Sequence, residues 1–340
     1  MGIVEGVEAL AQIEVAEQAS AGLDGVDAHV WRARIDDAYA HLEAAADWLL
    51  ANHRADDAER LAVALERYWV SAGRIDEGRV MFARVVGTGG LSDPSRARAL
   101  FSLGMLAFWQ GDDTAARAAF DESVQLARQL TATNLEALAL TGLARISLRN
   151  GDFAEARSLC QSALDVAASA TETRGRSSAI HVLSVAAQMT GDLERARDLM
   201  QQRLELEREA GSLRLVAAEC TNLSAVERQL GNIADARDLL QQALDIQTQQ
   251  EDVWSIPYSF NQLAAIEAQS GDMARAAALL GLAERMVEEQ GAGWPPDEAP
   301  VFERTRRMSA DALGEDGFAR AWTAGAAMSW QEVAAPAHPG

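Results

Sequence analysis

Apolar residues recur along this chain with the three- and four-residue steps of amphipathic helices, and the helical stretches are cut at regular places by a glycine followed by Asp or Asn. Gly111, Gly151, Gly191, Gly231 and Gly271 stand 40 residues apart. A glycine that closes one amphipathic stretch, beside an Asp or Asn that opens the next, carries the chemistry of a helix C-cap followed by an N-cap. The spacing therefore predicts a series of helical hairpins. Side-chain size repeats with the same period. Seven residues before each glycine stands a small residue (Gly104, Ala144, Ser184, Ser224, Ala264), five after it an alanine (Ala116, Ala156, Ala196, Ala236, Ala276), and nine after it a larger apolar residue (Phe120, Cys160, Met200, Leu240, Leu280). Small residues let two helices approach closely, while the large ones fill the groove between neighbouring hairpins.

This pattern resembles the tetratricopeptide repeat, whose usual unit is ~34 residues. The period of 40 predicts that each helix is longer by nearly one turn. A weaker copy lies in "ERYWVSAGRIDEGRVMFARVV", with Gly73 in the turn, Gly78 at the alanine position and Phe82 at the large apolar one. The resemblance implies an all-α fold, a right-handed α-solenoid with six repeats over residues 58–291, a helical cap over residues 1–57, and a helical cap and tail over residues 292–340. In the first flank Trp31, Ile35, Ala38, Leu42, Ala45 and Leu49 form one apolar stripe. The second opens with "GWPPDEAP" and has capping-box spacing at Ser329 and Glu332. Terminal elements with polar outer faces are what a solenoid needs at its ends.

The flanks carry a second resemblance. "RIDDAYAHLEAAADWLL" with the copy around Gly73, and "LGEDGFARAWTAGAAMSWQEVAAPA", are similar to the stretches that enter and leave the helical repeats of large bacterial signal-transducing ATPase regulators of transcription. In that class a nucleotide-binding domain precedes the repeats and a helix-turn-helix domain lies at one end. The sequence contains no GxxxxGK[ST] loop, so the expectation is a sensor module, free-standing or separated from its engine.

Composition narrows the functional classes. All 30 basic residues are arginine against 51 acidic ones, a net charge of −21, which repels phosphate backbones and argues against direct nucleic-acid binding. The N-terminus has acidic residues and no basic region before an apolar core, and no apolar run approaches the ~20 residues of a membrane span, so a cytoplasmic protein without membrane contact is expected. Cys160 and Cys220 fall at apolar positions and read as core thiols. His29, His41, His53, His181 and His338 have no metal-site spacing, and no catalytic arrangement stands out, so no enzyme, metal or cofactor is expected. The repeated Arg117, Arg157, Arg197 and Arg237 read as braces to the neighbouring hairpin.

The tetratricopeptide resemblance implies that the first helix of each hairpin lines a concave groove. Its register gives Arg98, Phe101, Met105, Phe108 and Trp109, then Thr141, Arg145 and Arg149, then His181 and Gln188, and finally Arg228, Tyr258 and Asn261. The expected site is an apolar floor of Phe108 and Trp109 beside Arg145 and Arg149, four residues apart on one helix, as anion anchors. The implied function is a sensor or scaffold that recognises a peptide, a protein segment or a small acidic ligand in signalling or transcription regulation. The alternative is a structural self-association domain, a possible homodimer with its groove unused. With no phosphate-binding loop and a strongly negative charge, the isolated chain should show neither ATP hydrolysis nor a mobility shift of duplex DNA at physiological salt. An ATPase rate that survives repurification, or a salt-sensitive shift, would contradict this.

Overall fold

The computed structural model describes residues 2–23, 27–168, 170, 172–290, 294 and 298–334. His338 and most of "GWPPDEAP" lie outside these. Among the described residues there are sixteen α-helices and no strand. They form two compact units, Met1–Leu206 and Glu207–Gly340. The first holds α1 (Gly2–Gly22), α2 (Ala28–Ala51), α3 (Ala55–Ser71), α4 (Ile75–Gly87), α5 (Asp93–Trp109), α6 (Asp113–Gln129), α7 (Thr133–Arg149), α8 (Phe153–Ala167) and α9 (Arg174–Met189). Helix α10 (Leu193–Ala210) begins in the first unit and ends in the second. There follow α11 (Leu213–Leu230), α12 (Ile233–Gln249), α13 (Ile256–Gln269), α14 (Met273–Glu289), α15 (Ala299–Ala326) and α16 (Trp330–Ala334).

Each ruler glycine sits in the turn of a hairpin, as the spacing predicts. Gly111, Gly151, Gly191, Gly231 and Gly271 all have φ between 77° and 93°, the left-handed region where a side chain is strained. In the third repeat Gly151 N–H donates to the Leu148 carbonyl at 3.1 Å and Asp152 N–H to that of Ser147 at 2.9 Å, closing the end of α7. The Asp152 carboxylate then accepts the N–H of Glu155 at 2.9 Å and opens α8. Asp112, Asp192 and Asp272 cap in the same way. Asn232 does not. Its amide donates to Glu227 at 2.7 Å, and α12 starts without a side-chain cap. At the C-terminus the expected capping box is likewise replaced, because the Ser329 hydroxyl donates to Gln331 at 2.7 Å.

From α1 to α9 and from α11 to α15 each helix packs on its sequence neighbours, and first helices also touch one another, α5 on α7 and α7 on α9 in the first unit, α11 on α13 in the second. The size pattern explains the contact. Phe120 is fully buried, and its ring occupies the space that side chains at Gly104 and Gly142 would need. A methyl group there would fall 2.7 Å and 2.6 Å from ring carbons. Gly104 belongs to the same hairpin as Phe120 and Gly142 to the next, so one ring locks two hairpins. In the second unit the buried Ser224 hydroxyl donates to the Ala236 carbonyl at 2.7 Å, holding α11 against α12 where both residues are small.

Arginines tie successive hairpins from outside. Arg79 bridges to Asp112 in the next turn, the brace expected of this register. Of the four arginines expected as braces, Arg117 pairs with Glu155 at 3.8 Å and Arg237 with Glu267 at 2.5 Å, each on the next hairpin, whereas Arg197 pairs with its own neighbour Asp198 at 3.8 Å. The second unit closes with α15 on α14, with backbones so close that a side chain at Gly325 would stand 1.8 Å from the Ala278 carbonyl.

Replacing Gly142 with alanine should lower stability, although alanine is the better helix former by ~1 kcal/mol. The added methyl collides with a ring that has no free direction to move, a penalty of ~1–3 kcal/mol or more. A melting temperature equal to or above that of the wild type would refute this account of hairpin contact.

Candidate functional site

In the first unit the wall formed by α5, α7 and α9 carries most of the expected groove residues, and their environments differ sharply. Arg98 is not available for a ligand. Its guanidinium makes a two-pronged contact with Glu59, 2.9 Å and 2.8 Å, and Glu59 is completely buried, so this ion pair spans two hairpins. Burial of the acid without that partner would be costly. Phe101 leans on Phe120 with ring centroids 6.0 Å apart and Met105 packs into the same core, leaving each half-buried. Thr141 is fully buried and donates to the Ala137 carbonyl at 2.7 Å, so it lines no groove. A hydroxyl can satisfy itself on its own helix in this way. Gln188 is half-buried at the end of α9.

The expected apolar floor is also smaller. Phe108 retains 8% exposure because Arg149 lies flat on its ring, 3.6 Å from the centroid. Arg149 further donates to the Phe108 carbonyl and to Asp113, each at 2.8 Å. It therefore covers Phe108 and braces α6 while itself remaining exposed at the surface. Trp109, packed edge-on against Phe108, is 51% exposed. Met189, two residues before its glycine like Trp109 and Arg149, is 58% exposed.

Arg145 lies near enough to Arg203 on α10 and His181 on α9 for its charge to act on them. It is half-buried, and among the described residues no carboxylate pairs with it. Its pKa is pushed down to about 10, first by loss of water and then by the nearby charge of Arg203. Arg203 donates from Nη1 to His181 Nδ1 at 3.2 Å and from Nε to the Ser177 hydroxyl at 3.2 Å. Since a guanidinium only donates, His181 is the neutral tautomer with its proton on Nε2. Burial, with Arg203 and Arg145 adding to it, holds the His181 pKa well below the ordinary imidazole range. Three basic side chains thus converge in a strongly acidic protein. Beneath them Cys160 is buried, and desolvation pushes its thiol up to about 12.

Arg203 is the residue that the groove template misses, because it sits on a second helix. The signal was nonetheless in the register. Twelve residues after each ruler glycine stand Ser123, Ala163, Arg203, Ala243 and Ala283, and the four others are fully buried small residues.

In the second unit the expected residues are covered by the chain itself. Asn261 is fully buried and its amide donates to the Glu298 carboxylate at 2.8 Å, joined by the Gln262 amide at 3.0 Å. Arg228 is lowered in pKa by burial and by Arg304, while Glu298 opposes the shift. Tyr258 meets Trp294 edge-on, and Trp294 stacks on Phe302. The expectation of an open groove at Arg228, Tyr258 and Asn261 is therefore corrected: Trp294 and Glu298 lie there, because the amides and Arg228 suit a carboxylate and Glu298 supplies it. A cavity of about 240 Å³ lies elsewhere, between α2, α3 and α4, with Leu42, Leu65, Met81, Glu43 and Asp76 among the residues that line it. Among the described residues no His, Cys, Asp or Glu cluster could hold a metal, and no helix is long and apolar enough to cross a membrane.

Comparison with known proteins bears on these repeats. Family models described as tetratricopeptide repeat match residues 135–209 and 216–249. These segments are tetratricopeptide repeats. The first contains Arg145, His181 and Arg203. No curated protein matches the chain's sequence significantly. Among solved structures, the chain is similar to a Rap protein complexed with competence and sporulation factor, at TM-score 0.56 and 13% identity, covering 94% of this chain and 95% of that one. It is similar to the Cut9-Hcn1 hetero-tetramer of the APC/C, at TM-score 0.57 and 17% identity, over 78% of this chain and 45% of that one. A third is BtubC (BKLC) from P. vanneervenii, at TM-score 0.51 and 22% identity, over 68% and 94%. These likenesses concern the fold, a stack of helical hairpins.

Arg145 holds a position that in other repeats is Met105, Val185, Ala225 or Ala265. A desolvated cation without a carboxylate costs stability that an apolar side chain of similar reach does not. Arg145→Met should therefore raise the melting temperature, by ~2–4 °C. Calorimetry showing a fall would mean that the guanidinium is compensated in the folded chain.

Proposed function

We propose that this chain is a non-enzymatic interaction scaffold that docks an acidic peptide or protein segment on the wall of its first unit, in the service of a cytoplasmic signalling or transcriptional regulator. The observation that carries this reading is the row formed by Trp109, Arg149 and Met189 on α5, α7 and α9. All three stand two residues before a ruler glycine, and all three are exposed. Large apolar side chains held in water on an ordered wall, around a cation, suit a segment with an acidic residue between apolar ones. The complex of the Rap protein of similar fold with competence and sporulation factor supports docking of a partner on such a wall. The resemblance of the flanks to signal-transducing regulators supports a regulatory role. The expected site is narrower than the whole row of sequence-assigned residues: Arg98, Thr141 and the second-unit positions are engaged internally, while Trp109, Arg149, Met189 and Arg145 remain to meet a partner.

Selection of displayed random peptides on the purified chain tests this. Enriched sequences should carry Asp or Glu flanked by apolar residues, and binding should fall by about tenfold when Trp109→Ala and Met189→Ala are combined, with helical content unchanged. Failure to enrich any sequence, together with a stable oligomer in light scattering, would favour the self-association reading instead.

A further inference from the structure

The hairpin around Gly73 departs from those after it at one position. Four residues before the turn glycine the next three repeats carry Ala107, Ser147 and Ala187; here stands Trp69. Its ring is buried, a side chain at Gly78 would stand 2.8 Å from it, and it meets Phe82 edge-on with centroids 6.1 Å apart. A ring of that size wedged between α3 and α4 holds them apart, and Ala46 and Ala62 are too short to fill what remains. The result is the cavity of about 240 Å³ between α2, α3 and α4. Leu42, Leu61 and Trp69 in its lining are buried, whereas Glu43, Asp76 and Val80 are exposed, so it runs from the core to the surface.

We propose that this cavity binds a small organic amine, an apolar ring or branched body that carries one ammonium group. Its size fits the body. A cavity of about 150 Å³ already holds benzene, so this one admits a ring with a short arm. Its charge fits the arm. The polar groups of Trp69 and Tyr39 are satisfied within the protein, since the indole N–H donates to the Tyr39 hydroxyl at 2.8 Å and that hydroxyl donates to Glu77 at 2.6 Å. Arg74 donates to the same Glu77 at 2.7 Å, and Arg84, which also lines the cavity, pairs with Asp47 at 2.6 Å. What is left for a ligand is carboxylate. Glu43 on α2 has no hydrogen bond or ion pair among the described residues, and Asp76 on α4 accepts the amide of Gln110 on one oxygen. An anion would have to displace Asp47 from the guanidinium in the lining, in a protein of net charge −21. A cation meets acids from two helices while its body takes apolar surface out of water. The cavity is separate from the wall of α5, α7 and α9, and its occupancy does not depend on docking there.

The test uses the full chain and three probes of one shape: phenethylamine, phenethyl alcohol and phenylpropionate. Calorimetry gives the affinities, and the methyl signal of Met81 in NMR, assigned by its loss in Met81→Leu, reports on the cavity itself. Phenethylamine should move that signal, bind about tenfold or more tighter than phenylpropionate, and weaken with added salt. Glu43→Gln should weaken the amine by about fivefold and leave the alcohol unchanged. Asp311→Asn, which removes an exposed acid on α15, serves as the charge control and should bind as the wild type does. Ala62→Leu fills the space and should abolish binding of every probe; a melting curve checks that it folds, and Glu43→Gln keeps the test decisive if it does not. If no probe moves the Met81 signal at ~10 mM, or if a folded Ala62→Leu binds phenethylamine undiminished, the cavity is not a ligand site. If the alcohol and the propionate bind as tightly as the amine and Glu43→Gln changes nothing, the cavity takes apolar bodies of any charge and the amine is refuted.

Discussion

The hairpins of this protein are joined where one large side chain lodges in the gap left by residues that have almost none. Phe120 between Gly104 and Gly142 is the clearest instance, with ring atoms closer to those backbones than any side chain there would tolerate. Two consequences follow from one contact. It sets how near α5 and α7 can come, and so which residues of neighbouring first helices face the same space. It also removes rotational freedom, because a buried ring between two glycines has one seat. The left-handed glycine at each turn, with an aspartate cap at four of the five, ends the helices at a constant place, so the large side chain always arrives at the same height.

Charge is arranged around this apolar joint with a consistent logic. Acids that are buried, such as Glu59 and Glu267, are matched by arginines, Arg98 and Arg237, that stay partly in water. The desolvation of the acid is offset by a guanidinium that keeps part of its own hydration. Arg149 is balanced by Asp113 and by the face of Phe108. Glu298 balances the amides and the arginine of the second unit. Against this background Arg145 is the exception, a half-buried guanidinium with which no carboxylate pairs among the described residues. Such a place carries a stability cost, and sites that cost stability are where function is often found.

Much of the architecture was legible because the determinants are local and repeated. A glycine in a turn, an alanine at a helix crossing and a large apolar residue nine positions on act through near neighbours, so their spacing reports the fold directly. The outcome at single residues was less legible. Phe108 and Arg149 are four tens of residues apart in sequence, and nothing in the register says that one will lie flat on the other. Thr141 and Asn261 occupy groove positions by count, yet one turns back to its own helix and the other is taken by Glu298, a residue beyond the repeats. Arg203 was hidden for another reason. The template asks which positions face inward on first helices, whereas a side chain as long as arginine can reach that space from a second helix. Comparing the repeats with one another, rather than each with a template, brings it out.

The strict period has a bearing on how such a chain can change over generations. Units of 40 residues in identical register can be gained or lost by unequal recombination with each joint still finding its small residue. His181 and Arg203 lie on one hairpin and travel together through such events, whereas Arg145 lies on the hairpin before. An extra unit inserted after Gly151 would keep every helix contact and part the cluster, while duplications elsewhere would lengthen the protein and leave the cluster whole. Lineages that share this fold can therefore differ in repeat number at either end yet be constrained between Gly111 and Gly231.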